Sequence, residues 1–191
     1  MTKSRPPTHF ERLYQSNPDP WGFETSAYET EKYSRTLDAL GDRRFSAGLE
    51  LGCSIGVLTR MLALRCDTLV GVDIVEQPLH AARPRCADQP HVRFQRMQIP
   101  AAWPKGRFDL IVFSEILYFL SITDIDVCVD RVRSSLLPGG AVVLVNWLGR
   151  TDDPTQGNAA AEHFMTASSD TFAVNFDYRN ENYRLDIIGP I

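Results

Sequence analysis

The chain has 191 residues, a length that predicts one domain able to bury about two-thirds of its surface without disulfide or metal staples. It carries 20 Lys and Arg against 24 Asp and Glu, for a net charge of −4. The basic residues are scattered and mostly arginine, which argues against a nucleic-acid partner. Cys53, Cys66, Cys86 and Cys128 form no C-x-x-C pair and read as reduced thiols. The first seven residues hold no apolar signal core, and the longest apolar run, 110–122, is broken by Glu115 and too short to cross a bilayer. A soluble cytoplasmic protein without membrane insertion is the expectation.

Thr8-His9-Phe10-Glu11 has capping-box spacing and predicts a short helix through Tyr14. Ser16-Asn17-Pro18-Asp19-Pro20-Trp21-Gly22 follows as a stiff turn, its two prolines fixing the backbone and displaying Trp21. A second box, Ser26-Ala27-Tyr28-Glu29, opens a helix of about fourteen residues stopped by Gly41. Tyr28, Leu37 and Leu40 are its expected inward residues, with Glu29 the box partner. Residues 1–41 thus form an N-terminal helical cap ahead of an α/β core, 47–191.

From residue 47 strands and helices alternate: strand 49–51, helix 57–65, strand 68–72, helix 78–83, strand 91–95. Residues 108–114 are a near-continuous apolar run, the signature of a parallel strand covered on both faces. A helix over 124–136 ends in the turn Leu137-Pro138-Gly139-Gly140, followed by strand 141–147 and a helix over 158–166. Strands 171–178 and 183–188 are joined by four residues, so they should pair as an antiparallel hairpin. The pattern predicts an α/β fold, one doubly wound, mostly parallel sheet of seven strands. Ligands of such sheets sit at the carboxyl ends of the strands, beside the switch in strand order.

Five segments fall at those ends: Gly52–Gly56, Asp73, Gln95–Gln98, Ser114–Glu115 and Asn146–Trp147. The stretch Leu49-Glu50-Leu51-Gly52-Cys53-Ser54-Ile55-Gly56-Val57, with Asp73 seventeen residues after its second glycine, reads as strand, glycine-bent turn, helix start and an acid closing the next strand. A dinucleotide loop, G-x-G-x-x-G, would need glycine at Ser54 and Val57, and neither is there. The pattern present, E-x-G-x-x-x-G, resembles the first motif of class I S-adenosylmethionine (SAM) methyltransferases, which have a Rossmann-like fold. The resemblance implies SAM as cofactor and S-adenosylhomocysteine as product. Gly52 and Gly56 would let the backbone approach the amino-acid tail beside Cys53, Glu50 would meet the ammonium or brace the loop, and Asp73, next to Ile74, would accept the ribose hydroxyls. A tight βα turn that binds nothing is the alternative.

Many relatives place an aspartate after the third strand; here adenine recognition would fall to Gln98 or to backbone groups, with Met97 packed on the ring. Ser114 and Glu115 follow the central strand, where methyltransferases of this class hold the transferable methyl. Methyl transfer is an in-line displacement driven by positioning and exclusion of water. An amine acceptor must be neutral to attack, so Glu115 or the phenol of Tyr118 would orient it and take its proton. The competing roles are a helix cap for Glu115 and a core position for Tyr118. Trp21 and Tyr28 would cover the cofactor or line the acceptor pocket, since aromatic faces suit a sulfonium and a sugar ring alike; packing between the N-terminal helices is the other reading. Trp147, Asp152 and Asp153 follow the fifth strand, where acceptor loops occur and where Trp147 would contact the substrate; surface loop acids are the other reading. His9, His80, His91 and His163 share no ligand spacing, so no metal is expected.

Beyond the general class, Phe10-Glu11-Arg12-Leu13-Tyr14-Gln15-Ser16, Asp19-Pro20-Trp21, Ser26-Ala27-Tyr28-Glu29 and Lys32-Tyr33 resemble the NodS group, named for nodulation protein S of rhizobia. The similarity continues through 49–59 and 108–120 and ends with Tyr183-Arg184-Leu185-Asp186-Ile187. It implies an N-methyltransferase of Nod factor (lipochitooligosaccharide) biosynthesis, acting on the free amine of the non-reducing glucosamine in a deacetylated chitooligosaccharide. A small-molecule N- or O-methyltransferase with another acceptor, or a SAM-binding protein without catalysis, remains open. Nothing in the sequence speaks to oligomeric state.

Overall fold

A computed structural model describes residues 2–191; Met1, the first residue of the expected cap, lies outside the described residues. The strands are β1 (Gly48–Leu51), β2 (Leu69–Asp73), β3 (Val92–Arg96), β4 (Phe108–Ser114), β5 (Leu136–Trp147), β6 (Phe172–Arg179) and β7 (Tyr183–Pro190). They form one seven-stranded sheet in the order β3-β2-β1-β4-β5-β7-β6, the doubly wound order expected. β1, β2 and β3 pair in parallel, as do β4 and β5, while β7 runs antiparallel between β5 and β6. Two compact units share the residues: Pro6–Gln98, and Ile99–Ile191 with the first few residues through Arg5.

In the unit Pro6–Gln98, helix α1 spans Pro7–Ser16. It begins before the expected Thr8 box because Pro7 presets the backbone of the first turn, and no side chain caps it. The turn that follows is tied by Asp19, whose carboxylate accepts the N–H groups of Phe23 and Glu24 at 2.9 and 3.0 Å. Helix α2 (Ala27–Ala39) is capped by Ser26, whose Oγ accepts from Glu29 N at 3.3 Å. Only this half of the expected box forms. Ser26 N is already given to Gly22 O, and the Glu29 carboxylate turns to Lys32 Nζ at 2.9 Å. That ion pair is buried with Tyr33 and Thr36, so the inner face of α2 is charged where an apolar stripe was expected. Tyr28 and Leu37 are only half-buried. Helices α3 (Val57–Leu62) and α4 (Glu76–Arg85) complete this unit, α3 passing into a 3-10 turn at Ala63–Arg65.

In the second unit, β4 and β5 form an apolar centre, with Leu110, Ile111, Val112 and Phe113 buried beside Ala141 to Val145. Helix α5 (Ile122–Ser135) starts earlier than expected, since Ser121 Oγ accepts from Asp124 N and acts as cap. Leu137-Pro138-Gly139-Gly140 was expected as a turn before β5, and β5 instead runs through it. Phe108 pairs with Leu136 and Leu110 with Ala141, so the segment bulges out of the ladder, with Gly139 at φ +73°. Helix α6 (Gly157–Ala167) packs Phe164 on Phe113, ring centroids 5.2 Å apart. The β6–β7 hairpin forms as expected, its link closed by Asn180 Oδ1, which accepts the N–H groups of Asn182 and Tyr183. No helix among the described residues is long and apolar enough to cross a membrane.

Candidate functional site

The loop after β1 places three of five residues in the left-handed region: Gly52 (φ +85°), Ser54 (φ +47°) and Gly56 (φ +79°). The N–H groups of Gly52 and Cys53 both donate to Val72 O, at 2.8 and 3.0 Å, which pins the loop to the end of β2. Gly56 caps α3, and a Cβ there would come within 2.9 Å of Ala82 Cβ on α4. Glycine at 56 is therefore accounted for by helix packing as well as by dihedral angle. Ser54 adopts the same backbone region with a side chain attached, and its Oγ shares a 2.5 Å hydrogen bond with the buried Tyr14 hydroxyl. Gln77 Nε2 donates to Tyr14 O at 2.6 Å, so α1 is fastened to the loop and to α4 together.

Two acids lie buried behind this loop. Asp73 Oδ2 accepts from Ser54 N at 3.0 Å and Oδ1 from Val75 N at 2.9 Å. Burial pushes its carboxyl up to about 6, against the backbone N–H groups of Val75, Ser54 and Ile74, which favour the charged form. Glu50 Oε2 accepts from Thr59 Oγ1 at 2.5 Å. Burial holds its carboxyl at about 7; the Thr59 hydroxyl opposes that and the charge of Asp73 adds to it. Neither acid has a basic partner among the described residues, so the patch is one that a cation would relieve. The Cys53 thiol is pushed well up by burial and by both acids, which leaves it inert.

The other expected contacts of this unit sit around that centre. Met97 N donates to Asp73 O at 2.9 Å, which hangs the segment after β3 on the end of β2; Met97 and Ile74 are half-buried and Gln98 is exposed. Trp21 is partly exposed, stacked on Phe23 and edge-on to Tyr14, whose hydroxyl reaches the loop. Tyr28 faces Lys32, the ammonium 4.9 Å from its ring centroid.

In the second unit, Ser114 is half-buried and Glu115 is held at φ +56°, its N–H donating to Val145 O at 3.1 Å. A left-handed, non-glycine residue beside a strand end is strained, and such strain gathers at functional sites. Glu115 does not cap the following helix. The 3-10 turn Leu117–Phe119 has no side-chain cap and α5 uses Ser121. Tyr118 is buried with its ring tilted on Phe119, a core position, and its carbonyl accepts from Thr155 N. Trp147 is partly exposed, its indole folded over Gly149. Asp152 and Asp153 are held by the Arg5 guanidinium, at 3.1 and 2.6 Å. His163 pairs with Asp126 at 2.7 Å, joining α6 to α5.

The fold thus gathers Glu50, Gly52, Cys53, Gly56, Asp73, Ile74 and Met97 at the ends of β1 to β3, and Ser114, Glu115, Tyr118 and Trp147 at the ends of β4 and β5. Sequence reasoning missed Tyr14, Ser54 and Thr59. Their contacts join residues 40 and 9 positions apart, and no local pattern signals either one.

A family model described as Nodulation protein S (NodS) matches residues 10–145. Nodulation protein S of Bradyrhizobium diazoefficiens is 32% identical over 127 residues, which is 65% of this chain and 61% of that protein. The Sinorhizobium fredii protein of the same description is 32% identical over 127 residues, 65% and 59% of the two lengths. The match spans about three-fifths of each of these relatives. The crystal structure of N-methyltransferase NodS from Bradyrhizobium japonicum WM9, in complex with S-adenosyl-L-homocysteine, superposes with a TM-score of 0.82 at 25% identity, covering 96% of this chain and 97% of that one.

Proposed function

The chain belongs to the nodulation protein S family, and from that premise we propose that it is a SAM-dependent N-methyltransferase acting on the free amine of the non-reducing glucosamine of a deacetylated chitooligosaccharide. The observation that carries the cofactor assignment is the buried pair Glu50 and Asp73, without a basic partner among the described residues, behind a loop with three left-handed residues. SAM carries a sulfonium and an ammonium against one carboxylate, a net cation, and such a patch is complementary to its two positive centres. Asp73 is proposed to accept the ribose hydroxyls, and Glu50 to face the amino-acid tail beside the backbone of Gly52, Cys53 and Gly56. Ile74, Met97 and Gln98 are proposed to flank the adenine, with Ser114 near the reacting end.

When bound, SAM supplies a methyl group activated on a sulfonium centre. Glu115, held by a strained backbone at the end of β4, is proposed to hold one N–H of the neutral amine and to take the proton that the methylated nitrogen sheds. Tyr118 is proposed to act from its buried position by fixing the floor of the site. Trp21, Tyr28 and Trp147 are proposed contacts to sugar rings. Four buried cysteines, none in a disulfide, fit a reducing compartment, and the cytoplasm is the proposed location.

Methyl transfer from labelled SAM tests the reading. Transfer to chitosan oligomers and none to fully acetylated chitin oligomers is expected. Transfer only to some other amine or hydroxyl compound would move the acceptor, and SAM binding without turnover on any acceptor would make the chain a binding module.

A further inference from the structure

Asn146, the last residue but one of β5, is fully buried, and neither its Nδ2 nor its Oδ1 has a hydrogen-bond partner. Among the described residues no other buried side chain leaves two polar atoms without a hydrogen bond. Several other buried polar side chains are matched: Thr36 with Lys32 O, Thr155 with Leu120 O, Asp186 with Arg184. Buried amides are so regularly paired that an orphaned one points to a missing partner.

The fold gives Asn146 no partner of its own. Arg184 lies opposite it in the β5–β7 register, but that guanidinium is spent on both oxygens of Asp186, at 2.8 Å each, and on Asn158 Oδ1 at 2.7 Å. Gly157, the first residue of α6, closes the other approach: a Cβ there would lie 3.4 Å from Asn146 Cβ and 1.8 Å from Trp147 O. Glu115 is next door. Its N–H donates to Val145 O, and Ser114 pairs with Val145, so Glu115 and Asn146 take the following places on neighbouring strand ends.

A primary amide offers an oxygen acceptor and an N–H donor side by side. The complementary ligand has an N–H donor and an oxygen acceptor on adjacent atoms. We propose that Asn146 orients the acceptor of the methyl transfer, taking an N–H of the amine on its Oδ1 and giving an Nδ2–H to an oxygen on the neighbouring carbon, so that the substrate class is a vicinal amino alcohol. The proposal rests on the methyltransferase reading above and adds to it the residue that positions the amine and the oxygen beside it. Asn146 is fully buried, so a ligand reaches its amide only through a local opening of the chain around it.

The test uses the full chain with Asn146→Leu and Asn146→Asp, a chitosan oligomer as acceptor, and calorimetry with S-adenosylhomocysteine. Loss of the amide is expected to lower kcat/KM for the amino sugar at least twentyfold in Asn146→Leu, with KM for the acceptor rising more than kcat falls. Cofactor affinity should stay within twofold. Asn146→Asp, which keeps the oxygen and loses the donor, is expected to fall between Asn146→Leu and the wild type; should Asn146→Leu not fold, Asn146→Asp carries the test, with a fivefold loss required. A variant with unchanged kcat/KM and a raised Tm would overturn the proposal, since the amide would then be an unpaired structural group. A wild-type chain that binds S-adenosylhomocysteine and methylates no amino sugar would overturn the acceptor reading and this proposal with it.

Discussion

Replacing Asp73 with asparagine separates what the carboxylate does for the fold from what it does for a ligand. In the wild type, one carboxylate oxygen accepts from Ser54 N and the other from Val75 N. Burial raises its pKa from the ordinary value of 3.8 to about 6, about 3 kcal/mol in favour of the neutral form. The native carboxyl therefore binds its proton more tightly than the unfolded one. Its contribution to stability falls as pH rises from the ordinary carboxylate range to about 6, and the full penalty persists above that. Asparagine cannot ionise, so at pH 8 this penalty of about 3 kcal/mol is absent. Against that, an amide has one oxygen, so one of the two backbone N–H groups meets an NH2 and loses its partner, costing about 1–3 kcal/mol. Asp73→Asn is thus expected to be neutral or up to about 2 kcal/mol more stable at pH 8, and less stable than wild type near pH 4.5. SAM affinity should meanwhile fall about thirtyfold, for a lost charged acceptor worth about 2 kcal/mol. Urea denaturation at the two pH values and calorimetry with SAM read both effects. Parallel pH profiles for the two proteins would refute the buried-charge reasoning, and unchanged SAM affinity would refute the ribose assignment.

Because Glu50 and Asp73 hold protons up to about 7 and about 6, cationic SAM should bind more tightly as pH rises through that window, releasing protons; Glu50→Gln should flatten the profile, and a pH-independent Kd would count against it. Tyr14→Phe removes the hydroxyl pair with Ser54 and is expected to lose about 1 kcal/mol in urea unfolding, while an unchanged midpoint would mean the pair contributes nothing. Glu115→Gln should lower turnover about tenfold or more with SAM affinity held within about twofold; full turnover in this variant would remove Glu115 from proton transfer. Gly157→Ala drives a Cβ to 1.8 Å from Trp147 O and should lower stability by about 1–3 kcal/mol by thermal unfolding, with an unaltered Tm showing that α6 can retreat freely.

What was legible in the sequence follows from how local the signal is. The apolar run 108–114 became β4 over the same residues, because a strand covered on both faces must be apolar throughout. The acids at the ends of β1 and β2 were placed by the strand–turn spacing alone. The inner face of α2 was misread because a charged pair, Glu29 and Lys32, fills it, and periodicity counts charges as outward. β5 begins before its expected start because the turn residues were accommodated as a bulge, which only pairing with β4 decides. The left-handed backbones of Ser54 and Glu115 had no sequence signal, since neither residue type favours that region; both are imposed by the strand ends around them.

Ser54 also bears on how this chain can drift. In its left-handed backbone an L-residue is disfavoured by about 1–2 kcal/mol, which glycine would recover. The hydroxyl pair with Tyr14 returns a comparable amount, about 1 kcal/mol, so serine and glycine at 54 are close to interchangeable for stability. What separates them is attachment. With glycine, the Tyr14 hydroxyl loses its Ser54 partner and with it a tie from α1 to the loop, while the Gln77 bond to the Tyr14 carbonyl and the Arg96–Glu11 ion pair still fasten that helix. Selection at this position therefore acts on how firmly α1 is moored while barely sensing the folding equilibrium, and two lineages of equal stability could differ in the freedom of their first helix.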